Sequence, residues 1–158
     1  HKLNRIVRKY RELNQEPLPT EGEKLICLKN ERDTGSFGTF INGVQCLATT
    51  AAVPIGNDMY HIGLNYEGRA IENVPVYDYH CAAHYDRKIQ ELPWRERYGM
   101  REFDYGYVIT AHKSQGSEWD NVIVVDDKMQ RKKKEFRKRW LYTAITRAKN
   151  NLTLVDLA

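Results

Sequence analysis

The sequence predicts an α/β fold, a parallel sheet with helices, interrupted by a small inserted β module. Two observations carry the α/β part. Residues 104–156 alternate strand and helix patterns, and residues 122–126 (VIVVD) are a continuous apolar run, as in strands buried on both faces. A third carries the insert: residues 44–79 break into short runs separated by Pro54, Gly56-Asn57-Asp58 and Gly68, the spacing of an antiparallel β unit. The expected division is residues 1–35 as the first part of the α/β layer, 36–103 as the insert and 104–158 as the remainder. With 158 residues, 41% hydrophobic and 29% charged, the chain has the size of one domain carrying an insert and the composition of one that buries a core.

Residues 2–14 place Leu3, Ile6, Val7, Tyr10 and Leu13 at helical spacing between basic residues, which predicts an amphipathic helix with those side chains inward. Pro17 and Pro19 stop it. Residues 23–28 (EKLICL) predict a strand, and residues 30–43, with Gly35, Gly38 and Gly43, predict turns. Runs at 44–50, 59–65 and 70–79 predict the strands of the insert, and residues 85–96 read as a short helix interrupted by Pro93. Residues 105–110 (YGYVIT) and 122–126 predict strands. Residues 134–149 predict a helix with Phe136, Trp140, Leu141, Ala144 and Ile145 along one side, and residues 152–155 predict a final strand.

Charge narrows the partners. The net charge is +4, but residues 128–158 carry ten Lys and Arg against Glu135 and Asp156 alone. That asymmetry favours a polyanion such as nucleic acid, with a solvated charge run as the bland alternative. No apolar run approaches the ~20 residues of a membrane span, and no signal peptide opens the chain. Cys27, Cys46 and Cys81 cannot all pair with one another. A cytoplasmic chain with reduced thiols is expected.

Several chemistries lack their motifs. There is no G-x-x-x-x-G-K-[ST] and no Gly-Lys pair, so the chain has no P-loop. His80-Cys81-Ala82-Ala83-His84 suggests a metal knuckle, but a second Cys/His pair is missing, and no metal site is expected. Ser114 lies near His112 without a G-x-S-x-G elbow, so a hydrolase triad is not expected either.

Two regions are richer. In residues 109–120 (ITAHKSQGSEWD) the expected strand ends at Thr110, and His112, Lys113, Ser114 and Gln115 follow before Gly116. Polar side chains past the carboxyl end of a parallel strand sit where α/β folds bind ligands. A helix opening there would offer free N–H groups to phosphate; the bland reading is a polar loop with a capping Ser114. In residues 140–148 (WLYTAITRA), Thr143 and Arg147 lie four apart beside Trp140. An arginine on a partly buried stretch needs an anion, either a carboxylate or a phosphate.

These stretches, ITAHKSQGSEWDNVIVV and RWLYTAITRAKNNLTLV, resemble motifs V and VI of superfamily 1 DNA helicases of the UvrD-like C-terminal domain group. They are most similar to RecD-like and Dda-like enzymes, including phage and bacterial ATP-dependent exonuclease (exonuclease V) helicase subunits. HKLNRIVRK resembles the helix after motif IV, and GEKLICLKNERDTGSF with the following ING resembles the entry to the family's inserted barrel. The resemblance implies a RecA-like parallel sheet, part of a second motor domain, with an inserted SH3-like β-barrel. The strand of motif IV is then expected to precede His1.

The resemblance also implies roles. Arg147 matches the motif VI arginine finger on the γ-phosphate of ATP, so it is the expected catalytic residue. Gly116 and Glu118 match positions on the nucleotide side. Thr110, His112, Lys113 and Ser114 match positions near the DNA backbone, and Gln115 lies between the two sites. ATP with Mg²⁺ is the implied nucleotide, the metal being held by an N-terminal motor domain outside this sequence. Single-stranded DNA, that motor domain and a nuclease or other repair, recombination or replication subunit are the implied partners; a membrane is not. The chain alone is expected to be inactive. The alternative is a non-catalytic nucleic-acid-binding or assembly module that keeps the motor fold. The basic run 131–139 fits the family poorly and reads either as a phosphate contact or as a solvated loop. Tyr60, Tyr66, Tyr77, Tyr79 and Tyr85 read as barrel core, with base stacking as the alternative.

Overall fold

The computed structural model describes residues 2–13, 17–31, 37–56, 58–93, 95–126 and 134–156, and the chain divides into two units, His1–Val108 and Ile109–Ala158. In the first unit, helix α1 (Lys2–Tyr10) is built from good helix formers with no Gly or Pro. It ends in a Schellman arrangement: Glu12 takes φ 57°, Leu13 N–H donates to the Arg8 carbonyl and Glu12 N–H to the Lys9 carbonyl, each at 3.1 Å. The buried face of α1 is polar. Asn4 and Arg8 are buried, whereas Leu3, Ile6 and Tyr10 are 42%, 60% and 88% exposed. Of the expected inward stripe, Leu3, Ile6 and Tyr10 therefore point to solvent, and Val7 and Leu13 are half-buried. Asn4 accepts from Val108 N–H (2.7 Å) and donates to the carbonyls of Tyr105 and Val108, so backbone polar groups choose the face.

The remaining strands of this unit are β1 (Lys24–Cys27), β2 (Gln45–Ala48), β3 (Val53–Gly56), β4 (Met59–Tyr66), β5 (Arg69–Tyr77) and β6 (Arg101–Tyr105), with helix α2 (Tyr79–Ala83) between β5 and β6. They pair in the order β2-β1-β6-β5-β4-β3, and β2 also pairs with β4. That extra pairing (Cys46↔Tyr66, Leu47↔Asn65, Ala48↔Leu64) closes five strands into a barrel. All ladders are antiparallel except β5–β6, which is parallel. The β4–β5 hairpin turns on Glu67 and Gly68, with φ 49° and 81°, as a two-residue primed turn demands. Along β4, Tyr60, Ile62, Leu64 and Tyr66 alternate into the core. A bulge shifts the register between Ile62↔Val74 and Leu64↔Ile71. A Cβ on Gly63 would stand 2.6 Å from Thr49 Oγ1, so a larger residue there would have to displace the side chains around it. Phe40 packs edge-on against Tyr66 and Phe103.

These pairings overturn the expected RecA-like α/β parallel sheet. The described residues are mostly β, and the larger sheet is the closed five-stranded barrel. An SH3-like barrel describes it only in part: β5 and β6 run parallel, and β3 pairs outside the closure. The apolar run at 23–28, expected to lie in the α/β layer, becomes β1 and pairs with β6. Residues 85–93 and 95–96 are not helical, and the strand expected at 105–110 is instead β6, ending at Tyr105.

Asp78 precedes α2 and is buried. Arg87 Nη2 stands 2.5 Å from Asp78 Oδ2 as an ion pair. Burial pushes this carboxyl up to about 6 against the pull of Arg87. Because the folded pKa is raised, the stabilising contribution of the protonated acid is complete below the ordinary value of 3.8 and is lost as pH rises through about 6. Asp78→Asn is therefore expected to help stability more at pH 7.5 than at pH 4, by up to about 3 kcal/mol. Urea unfolding at the two pH values measures the difference, and an equal shift at both would contradict it.

In the second unit, β7 (Trp119–Asp126) and β8 (Ala148–Asp156) form a parallel ladder from Trp119↔Ala148 to Asp126↔Asp156, and helix α3 (Lys134–Ile145) connects them. Arg137 pairs with Asp126, its Nε donating to Oδ2 at 3.1 Å, and Val124 and Ala144 are buried. The run read as buried on both faces is not: Ile123 is 69% and Leu154 52% exposed. The ladder has two strands, whereas parallel sheets of α/β folds are covered on both sides. The first part of the basic run, Arg131, Lys132 and Lys133, lies outside the described residues, and the rest falls in α3. Among the described residues, no helix is long and apolar enough to cross a membrane.

Candidate nucleotide and nucleic-acid site

Residues 111–116 form consecutive turns rather than a helix. The segment satisfies itself. Thr110 Oγ1 accepts from Lys113 N–H (3.3 Å), the Thr110 carbonyl from Ser114 N–H (3.1 Å), the His112 carbonyl from Gln115 N–H (3.3 Å) and the Ser114 carbonyl from Ser117 N–H (3.1 Å). The N–H groups of Lys113, Ser114, Gln115 and Ser117 are thereby used within the turns, and the segment does not open a helix. Ser114 is buried and its hydroxyl donates to the Ala111 carbonyl at 2.7 Å, so it fastens the turn. Thr110, His112 and Gln115 are exposed, and the His112 ring lies 6.5 Å from that of Phe136. Gly116 takes φ 84°, with nothing within 4 Å of where a Cβ would stand. The reversal there asks for glycine by conformation and leaves its surroundings open.

Arg147 lies just beyond the end of α3. Its three nitrogens each donate to a neutral oxygen: Nε to the Thr143 carbonyl (3.0 Å), Nη1 to the Ser117 carbonyl (3.2 Å) and Nη2 to Thr146 Oγ1 (3.1 Å). Trp119 N–H donates to the Arg147 carbonyl at 2.9 Å. The arginine thus ties the end of α3 to residues 117–119 through side chain and main chain. Its charge suits a helix C-terminus, where unpaired carbonyls gather. Among the described residues no carboxylate pairs with it. A guanidinium has five N–H groups, so one remains on each terminal nitrogen and can reach an oxyanion.

The structure brings Arg147 and the Gly116–Glu118 turn together through Ser117. It keeps Thr110, Lys113, Ser114 and Gln115 within one short loop preceding that turn. Glu118 is exposed, with Lys149 Nζ 3.7 Å from its Oε2. Sequence reading missed Ser117, Thr146 and Lys149. Ser117 acts through its carbonyl, which carries no residue-type signal. Thr146 carries a weak one, a hydroxyl positioned to bond the carbonyl four residues back, and its Oγ1 lies 2.9 Å from the Tyr142 carbonyl and 3.2 Å from that of Thr143.

The other clusters are occupied by structural contacts. His80 Nε2 lies 3.0 Å from Glu102 Oε2 and His84 Nε2 2.5 Å from Asp104 Oδ1; Cys81 is buried beside Tyr60. The His80 hydrogen bond, with Arg97, holds Glu102 below the usual carboxylate range. Among the described residues, no three His, Cys, Asp or Glu side chains gather as a metal site. Tyr60, Tyr66 and Tyr77 are buried, and Tyr77 stacks on Tyr79 at 5.9 Å.

An uncharacterized protein of Methanocaldococcus jannaschii is 47% identical to this chain over 55 residues, 35% of the chain but 4% of that protein. The chain thus spans a small fraction of the length of the curated relative it matches. Residues 105–155, which hold the 111–116 turns, Glu118 and Arg147, match the family model of the UvrD-like helicase C-terminal domain.

Proposed function

We propose that this chain is part of the second motor domain of an ATP-dependent superfamily 1 DNA helicase, which in the complete protein couples ATP hydrolysis to movement along single-stranded DNA and to unwinding. One observation carries the reading: within the matched segment, Arg147 is held by three neutral oxygens and keeps an N–H on each terminal nitrogen. Bound ATP supplies the phosphoryl group that is transferred, and charge develops on its oxygens. Arg147 faces that charge, and Gly116 and Glu118 border the nucleotide. Thr110, His112, Lys113 and Gln115 lie along the DNA backbone, and Ser114 fastens the turn that presents them. The P-loop and the Mg²⁺ ligands belong to an N-terminal motor domain. The RecD-like and Dda-like subgroup, with a nuclease subunit as partner, is the finer form of the same reading.

A second reading, a non-catalytic module, is favoured by those same three hydrogen bonds, because they give Arg147 a structural task. Hydrolysis of ATP by the full-length protein, with and without single-stranded DNA, separates the two: stimulation supports the motor, and no hydrolysis supports the module. Lys113→Ala is expected to weaken single-strand binding at every sequence and to reduce the salt slope by about one. Fluorescence anisotropy over a salt series reads both, and an unchanged slope would remove Lys113 from the DNA track.

A further inference from the structure

We infer that Thr146 is a positioning residue for Arg147, setting the direction of its guanidinium toward the nucleotide; the inference rests on the motor reading above. Thr146 Oγ1 stands 2.9 Å from the Tyr142 carbonyl and 3.2 Å from that of Thr143. Its one hydrogen is therefore committed to the helix backbone, and a lone pair is left facing outward. Arg147 Nη2 donates to that lone pair at 3.1 Å. A hydroxyl whose donor side is fixed is a directional acceptor.

The other two contacts do not fix the same freedom. Nε bonds the Thr143 carbonyl and Nη1 the Ser117 carbonyl, both on backbone that any sequence supplies. Thr146 contributes the single side-chain contact among the three, and it acts on the terminal nitrogen opposite Nη1. Together they hold the fork at both ends, so the remaining N–H of each terminal nitrogen keeps one direction. A preset donor pair needs no reorganisation as phosphoryl charge grows, which is where such donors act most strongly. Valine has the shape of threonine but no acceptor, so Nη2 would lose its partner and the guanidinium its second anchor.

The test compares Thr146→Val, Thr146→Ser and Arg147→Ala in the full-length protein. Thr146→Val is expected to lower kcat of DNA-stimulated ATP hydrolysis about tenfold or more, with KM for ATP changed less than about twofold, the split of a contact realised in the transition state. Thr146→Ser, which keeps the acceptor, is expected to restore kcat. A binding readout stands beside activity: affinity for ADP with aluminium fluoride falls about tenfold in Thr146→Val while affinity for ADP alone holds. If the valine variant does not fold, Thr146→Ala carries the same comparison. Wild-type turnover in the valine or alanine variant, with Arg147→Ala strongly impaired, overturns the positioning role alone. Equal losses in the valine and serine variants overturn it too. Wild-type turnover in Arg147→Ala overturns the motor reading and this inference with it.

Discussion

Replacing Arg147 by alanine in the full-length protein is expected to lower DNA-stimulated ATP hydrolysis by about 10³–10⁵-fold, the range found for arginine fingers. The size follows from where the charge sits. Three neutral oxygens orient the guanidinium, and among the described residues no carboxylate cancels it, so its full charge is available to an anion in a partly desolvated setting. Single-stranded DNA affinity is expected to hold, because Lys113 and its neighbours lie in a loop closed by its own hydrogen bonds. A small secondary effect is also expected: loss of the Ser117 contact frees the turn at Gly116 and lowers stability by about 1 kcal/mol. Steady-state hydrolysis, anisotropy and urea unfolding of the same preparation separate the three effects. Turnover within tenfold of wild type, with the unfolding midpoint reduced, would assign Arg147 to structure and favour the non-catalytic module.

Legibility from sequence ended where pairing begins. The runs that become β4 and β5 were readable, because alternation and the Glu67-Gly68 turn are local. So were α3, β7 and β8 and the parallel sense of their ladder. The partners of β1 were not. Leu25, Ile26 and Cys27 are all buried, a pattern that suits a strand in a parallel layer as well as one inside a barrel. Only the non-local register with Cys46 and Tyr105 decides between them. Helix α1 misled because its buried side chains, Asn4 and Arg8, belong to types that sequence rules place outside. At the candidate site, Gly116, Glu118 and Arg147 were visible as residue types within long motifs. The contacts that hold Arg147 were not, because two of its three acceptors are backbone carbonyls, which every residue carries.

The largest stability effect is expected at the pair that misled the reading of α1. Arg8 and Glu23 are both fully buried. Arg8 Nε pairs with Glu23 Oε1, and Nη2 donates to Glu23 Oε2 at 3.0 Å and to the Leu18 carbonyl at 3.1 Å. Nη1 bonds the Tyr85 hydroxyl, and the guanidinium lies 4.4 Å from the centre of the Tyr105 ring. Thr20 N–H donates to Glu23 Oε2 at 2.8 Å. Burial pushes the Glu23 carboxyl up although Arg8 and Thr20 pull it down, whereas Glu23 and the neighbouring tyrosines hold the Arg8 guanidinium above its ordinary value despite its burial; on general grounds the desolvation of two buried charges offsets much of their attraction. Breaking it is another matter, because a lone charge would stay in the core. Arg8→Met is expected to destabilise the protein by about 3–5 kcal/mol at pH 7.5. The loss should shrink as pH falls, since the orphaned Glu23 can then be protonated. The double variant Arg8→Met with Glu23→Leu is expected to recover most of the loss, as apolar replacements of buried pairs do. Urea unfolding of the four proteins in the cycle measures the coupling. A double variant at the sum of its singles would mean that α1 is held by Asn4 and its backbone partners, and that the ion pair merely accompanies them.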